Sequence, residues 1–280
     1  MTVLNWLKQP SKQQVRAAGQ VKKHEQSETQ PILRAPPVVL ILFALLLGFH
    51  LLSVFGGTAL RVELIVALGL FPARFFAEGM GGLPGGWVQG VVNLFSHSLL
   101  HGSWAHVILN GVWLLAFGAP VAKRLGPRKF MFLFMVCVMI GGFGQIFVAD
   151  VNGYLIPIIG ASGGVAGLMG AASRFAFSDV RWLDPNAQQL GRRLLRLSDV
   201  PRRRPVMLFI VIWLIMNLTF GLLGPYGIAD PSGAAVNIAW VAHLGGFLAG
   251  LLIIGLLEKP PLSASGGPGH VDYGDWKNLK

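Results

Sequence analysis

Three short stretches place reactive or strongly polar side chains inside otherwise apolar sequence. The first, FSHSLLHGSWAHVILN, carries His97, His101, His106 and Asn110. His106 and Asn110 are four residues apart, so on a helix they project from one face. Both offer N–H donors, and two donors converging on one point in a dry site suit a developing oxyanion. Three histidines near a helix start can also bind zinc, but no carboxylate or cysteine in the stretch completes such a set. His97 and His101 have a plainer reading, as histidines that hydrogen-bond loop backbone. His106 alone would read as a satisfied buried histidine; Asn110 one turn on favours the oxyanion role.

The second stretch is Gly160-Ala161-Ser162-Gly163-Gly164. A serine at a helix N-terminus lies beside unpaired backbone N–H groups and the positive end of the helix dipole. That setting favours negative charge, and the flanking glycines admit close approach of backbone or substrate. A serine in this place also serves as a simple N-cap. The string fits the G-x-S-x-G pattern of α/β-hydrolases, but that pattern requires a strand–turn–helix context, which an all-helical membrane chain does not supply.

The third stretch is Ala242-His243-Leu244-Gly245-Gly246-x-x-x-Gly250. Gly246 and Gly250 share a helix face smooth enough for close contact with another helix. Gly163, Ala166, Gly167 and Gly170 form a matching face after Ser162. If the two faces meet, Ser162 and His243 come within hydrogen-bond reach. An unactivated serine is a weak nucleophile and needs an adjacent base. No carboxylate is placed to orient His243, so a dyad is expected rather than a triad.

These stretches must be positioned by membrane helices. The chain has 280 residues, 12% of them charged, and a mean hydropathy of +0.60; soluble domains carry roughly 25% charged residues. A spanning helix needs about 20 mostly apolar residues. Six runs qualify as candidates, at about 37–56, 103–122, 129–149, 160–178, 205–223 and 236–257. The fourth is short and rich in Gly and Ala, as expected of a helix enclosed by others. The expected fold class is therefore an all-α membrane protein with six transmembrane helices.

Charge placement supports that count. Of 23 Lys and Arg, six precede residue 37, four lie at 123–129, eight run from Arg174 to Arg204, and three follow residue 258. The link 57–95 holds only Arg61 and Arg74. With six spans, all but those two fall on one side, the positive-inside pattern with both termini cytoplasmic. The basic patches read as topology and attraction to anionic lipid, not as a nucleic-acid site. Residues 1–36 read as a cytoplasmic basic tail rather than a signal peptide, 37–257 as the membrane domain, and 258–280 as a flexible cytoplasmic tail. The link 179–204 is polar and Arg-rich, with no clear fold. The link 57–95 is apolar yet broken by Pro72, Pro84 and glycines; a segment half-sunk in the interface fits, shielding irregular backbone beside a cavity. The single cysteine, Cys137, excludes an intramolecular disulfide.

Together, His97/His101/His106/Asn110, Gly160–Gly163 and Ala242–Gly250, in this order on spans two, four and six, resemble the rhomboid family of intramembrane serine proteases. The resemblance covers about 37–257. It implies that Ser162 attacks the scissile carbonyl, that His243 is base and then acid, and that His106, Asn110 and the Ser162 N–H stabilise the oxyanion. His97, His101, Gly160, Gly163, Gly246 and Gly250 support this site. No cofactor or metal is implied. Implied substrates are single-span membrane proteins with small residues near the cut, in a bilayer with anionic lipid at its cytoplasmic face. A bacterial inner membrane is the simplest location.

Two positions depart from the family pattern. Ala122 stands where bacterial members often carry an acid, before Lys123-Arg124. Ala166 stands where some carry an aromatic that packs on the histidine. Two other readings compete. A catalytically inactive rhomboid-like client binder typically lacks the serine or the histidine, and both are present here. A small transporter with broken helices would show paired, repeat-related broken spans, which the sequence lacks.

Overall fold

The structure, a computed structural model, describes residues 35–76, 83–149, 154–177, 181–184, 189–192, 194–227 and 239–258. The expected tails 1–36 and 258–280 fall outside these, apart from residues 35, 36 and 258.

Helix α1, Pro37–Phe55, has proline in its first turn, where the missing N–H costs nothing. α2 (Gly57–Leu68), α3 (Ala73–Phe76) and α4 (Gly86–Ser96) follow. α5, Trp104–Leu125, is capped by Ser103, whose hydroxyl accepts the His106 backbone N–H at 3.2 Å. Its π-helical stretch, Leu114–Gly118, precedes Pro120, which has no N–H to give the preceding turn. α6 is Pro127–Phe147, α7 is Ser162–Ala176, α8 is Arg204–Gly227 and α9 is Trp240–Leu257.

Among the described residues, five helices are long and apolar enough to cross a membrane: α1, α5, α6, the Arg204–Gly221 part of α8, and α9. The chain is a multi-pass helical membrane protein. α7 is different. Its 15 residues reach about 22 Å, short of a hydrocarbon core of about 30 Å. Every residue from Gly163 to Phe175 is buried, and α7 packs on α9 and α6 along its length. It is a core helix shielded from lipid.

Two segments differ from expectation. The link 57–95 is largely helical over its described residues, because Pro72 and Pro84 fall between α2, α3 and α4 rather than inside them. α2 buries no residue, as an interfacial helix would. The link 179–204 contains an antiparallel hairpin, β1 (Arg181–Asp184) with β2 (Gln189–Arg192), pairing Arg181 with Arg192 and Asp184 with Gln189. A 3-10 turn, Leu197–Arg202, leads into α8.

At the far end of the bundle from Ser162, basic side chains close the helix ends. Arg174 donates from Nε and Nη2 to the Leu195 carbonyl at 3.0 and 2.7 Å, and from Nη1 to the Leu251 carbonyl at 3.1 Å. Arg124 pairs with Glu258 and lies over the Phe175 ring, 4.8 Å from its centroid. The carboxylate that meets Arg124 thus comes from just beyond α9.

The α7–α9 contact is backbone on backbone. A methyl group on Gly246 would collide with the Gly163 carbonyl, one on Gly250 with the Gly167 carbonyl, and one on Gly170 with the Phe247 carbonyl. Only glycine permits this approach. Gly144 on α6 is the control, since a methyl there meets only Val241 at 3.7 Å. Gly246→Ala or Gly250→Ala should each cost about 1–3 kcal/mol and lower the thermal midpoint in detergent, while Gly144→Ala leaves it unchanged or slightly raised. Equal midpoints across the three variants would contradict this packing.

Candidate active site

Ser162 is the first residue of α7. Its approach is held by backbone hydrogen bonds: Leu70 and Ile158 exchange N–H···O bonds at 3.1 and 2.8 Å, Ala73 N–H donates to Tyr154, and Gly160 N–H donates to the His97 carbonyl at 3.0 Å. Gly160 has φ +118°, a conformation that side chains avoid, and a methyl there would lie 2.6 Å from His106 Nε2. The Ser162 hydroxyl does not cap its helix; the N-cap position is Ala161, with no side-chain bond.

Instead, Ser162 Oγ lies 2.7 Å from His243 Nε2. His243 sits in the first turn of α9, and the glycine contact below brings the two side chains together. The other ring nitrogen, Nδ1, lies 2.9 Å from Oδ1 of Asn217 on α8. Asn217 is buried, and its Nδ2 donates to the Trp240 carbonyl at 3.1 Å. The sequence reading did not single out Asn217. Its signal was available: a strongly polar side chain in the apolar run Phe209–Phe220 is a functional candidate.

His106 is placed one side of the serine by α5. Its ring closes over Gly160, and a methyl on Gly160 would lie 3.7 Å from Ser162 Oγ. Asn110, buried one turn along, donates through Nδ2 to the His106 carbonyl at 3.0 Å; that amide has a second N–H.

His97 and His101 are buried beside this site. His97 Nδ1 donates to the Asn93 carbonyl at 2.7 Å. The His101 ring packs edge-on against His106, with centroids 4.9 Å apart, and its carbonyl accepts from His50 Nδ1 at 3.2 Å. Burial pushes the His97 ring down to about 4, and burial followed by the neighbouring His106 pushes His101 down to about 3. Both are therefore neutral at physiological pH.

Ala166, where an aromatic was expected in some relatives, packs among Met169, Phe247, Phe117, Phe209 and Trp213. Trp213 stacks on Phe247, ring centroids 4.2 Å apart. The aromatic filling below His243 comes from α8 and α9 rather than from α7.

The Rhomboid domain family model matches residues 88–260, more than half of the chain. The chain belongs to the rhomboid family. Among curated relatives, the rhomboid protease GlpG of Pectobacterium atrosepticum is 30% identical over 159 residues, 57% of this chain and 46% of that protein. The rhomboid protease GlpG of Yersinia pestis is 31% identical over 158 residues, 56% of this chain and 45% of that protein. The matched stretch spans less than half the length of these relatives. In this rhomboid chain the family match, 88–260, takes in α5 to α9, and hence Ser162, His243, His106, Asn110 and Asn217.

Two outcomes follow from this geometry. Gly160→Ala should lower the thermal midpoint, by about 1–2 kcal/mol from the backbone alone, more with the His106 collision; wild-type stability would contradict the strained turn. The depressed histidines give a pH dependence. From its ordinary value of 6.5, the unfolded chain takes up these protons well before the folded chain does. Stability should therefore fall as pH drops from about 6.5 to about 4. A midpoint flat across that window would contradict neutral, buried His97 and His101.

Proposed function

We propose that this rhomboid-family chain is an intramembrane serine endopeptidase that cuts transmembrane protein substrates near the outer membrane face. The 2.7 Å contact between Ser162 Oγ and His243 Nε2 carries the reading, because it pairs a nucleophile with a base at a helix N-terminus. Ser162 Oγ attacks the scissile carbonyl carbon as its proton passes to His243 Nε2. The carbonyl oxygen becomes an oxyanion beside the Ser162 N–H, with His106 and the second N–H of Asn110 as side-chain donors. His243 then gives its proton to the leaving nitrogen, the C–N bond breaks, and an acyl-enzyme remains on Ser162. Water, deprotonated by His243, attacks that ester and releases the second fragment. Nothing in this sequence of steps calls on a metal or cofactor.

The substrate class is argued from placement. α7 is short and enclosed by other helices, which supports a Ser162 set below the bundle end, where a soluble chain would have to be drawn into apolar surroundings. A single-span helix with small or helix-breaking residues near its outer end reaches that depth and can unwind there. The orientation, with both termini and the basic links on the cytoplasmic side beside anionic lipid, follows the positive-inside pattern. A bacterial inner membrane fits this arrangement and the bacterial relatives.

The test is a gel assay in proteoliposomes with a model single-span substrate. Wild type should release a defined fragment, and Ser162→Ala and His243→Ala should release none while keeping the wild-type thermal midpoint. Asn110→Ala should cut more slowly than wild type, with a loss of about 3–4 kcal/mol or less for one oxyanion donor. Fragment from Ser162→Ala would overturn the nucleophile assignment. Binding without cleavage by wild type, across several such substrates, would favour an inactive client-binding protein.

A further inference from the structure

An imidazole has two nitrogens, and it can act as a base toward Ser162 only if Nε2 lacks a proton and faces the hydroxyl. Both conditions are met by the groups around Asn217. The Trp240 carbonyl can only accept, so the atom of Asn217 facing it at 3.1 Å is the donating Nδ2. That fixes the opposite amide atom, Oδ1, toward His243 at 2.9 Å. Oδ1 can only accept, so His243 Nδ1 carries the hydrogen and Nε2 is left bare, facing Ser162 Oγ at 2.7 Å. One backbone carbonyl thereby sets the direction of every hydrogen bond in the chain Trp240–Asn217–His243–Ser162.

The surrounding contacts keep Asn217 in place. Trp213, Asn217 and Gly221 recur every four residues and form one face of α8. Trp240, His243 and Phe247 form the facing side of α9. Trp213 stacks on Phe247 at 4.2 Å with 21° between the rings, and Gly221 abuts Trp240, where any side chain would strike the indole. The opposite face of α8, with Leu208, Ile212, Ile215 and Met216, is exposed, as suits lipid. Asn217 is the one strongly polar side chain of the apolar run Phe209–Phe220, and it points into the bundle.

We infer that Asn217 is a positioning residue for His243, holding the Nδ1-protonated ring with Nε2 toward Ser162, so that the site works as Ser–His–Asn rather than as a dyad. The inference rests on the serine-protease reading above. An amide accepts without adding charge, which suits a site with no buried carboxylate to desolvate.

The experiment measures kcat and KM of the full chain in proteoliposomes on a fluorogenic single-span substrate, with thermal midpoints taken in parallel. Asn217→Leu keeps the volume and removes the acceptor. Its kcat should fall at least tenfold, within the range of about 10⁴ seen when a catalytic histidine is held in the wrong tautomer, while KM stays within about twofold. Asn217→Asp restores an acceptor and should recover most of the lost kcat, a rescue that a merely space-filling role would not give. Should Asn217→Leu fold poorly, Asn217→Ser, too short to reach Nδ1, takes its place with the same expectation. Wild-type kcat in the leucine or serine variant, or an aspartate variant as slow as they are, overturns the inference. A Ser162→Ala control that still cuts sinks the reading of Ser162 as nucleophile, which is a different failure.

Discussion

The site depends on how closely two helices approach. α7 and α9 touch through Gly163, Gly167 and Gly170 on one side and Gly246 and Gly250 on the other, with carbonyls where side chains would otherwise stand. In a bilayer, helix association gains little from burying apolar surface, so close backbone packing has to supply much of it. The same contact sets the separation of the two helix starts. Ser162 and His243 both project from that end, and a wider spacing would carry them out of hydrogen-bond range. Cys137 on α6 abuts Gly167 and the backbone of Gly141 abuts Ala242, so a third helix presses on the pair from behind.

Around that contact several polar groups are paired in short local networks, while both ring nitrogens of buried His101 have no hydrogen-bond partner among the described residues. At the Ser162 end, the α2–α4 segment is tied to the approach to α7 by the Leu70–Ile158 bridge and the His97–Gly160 bond. Asn93 Nδ2 and Ser96 Oγ donate to the Ala67 and Leu68 carbonyls at 2.8 and 2.9 Å. At the other end, Arg174, Arg124 with Glu258, and Lys129 engage the helix termini. Irregular backbone at membrane depth is tolerated where protein supplies its hydrogen bonds, and here the loops carrying His97 and Gly160 supply one another's.

Much of the arrangement was legible in the residues. The apolar runs located α1, α5, α6, α8 and α9, and the Gly/Ala content of the fourth run anticipated an enclosed helix. The paired small-residue faces also anticipated the meeting of Ser162 with His243. Other features left a weaker trace. Asn217 has no motif around it, and only its partners in space, His243 and Trp240, give it meaning. The apolar link 57–95 was read through its prolines and glycines, yet these punctuate three helices rather than prevent them. The β1–β2 hairpin is short, polar and without an alternating apolar face, so periodicity gave no sign of it. The carboxylate beside Arg124 comes from Glu258 rather than from the Ala122 position, because a bundle end can be closed from any chain segment that reaches it.

The central claim is that His243 makes the Ser162 hydroxyl nucleophilic. The most direct measurement is the reaction of the purified, membrane-reconstituted chain with a fluorophosphonate, followed by mass mapping of the modified peptide. The account predicts a single adduct on Ser162 in wild type, and no adduct over the same time in a folded His243→Ala variant. An adduct on another serine, or equal labelling with and without His243, would contradict it.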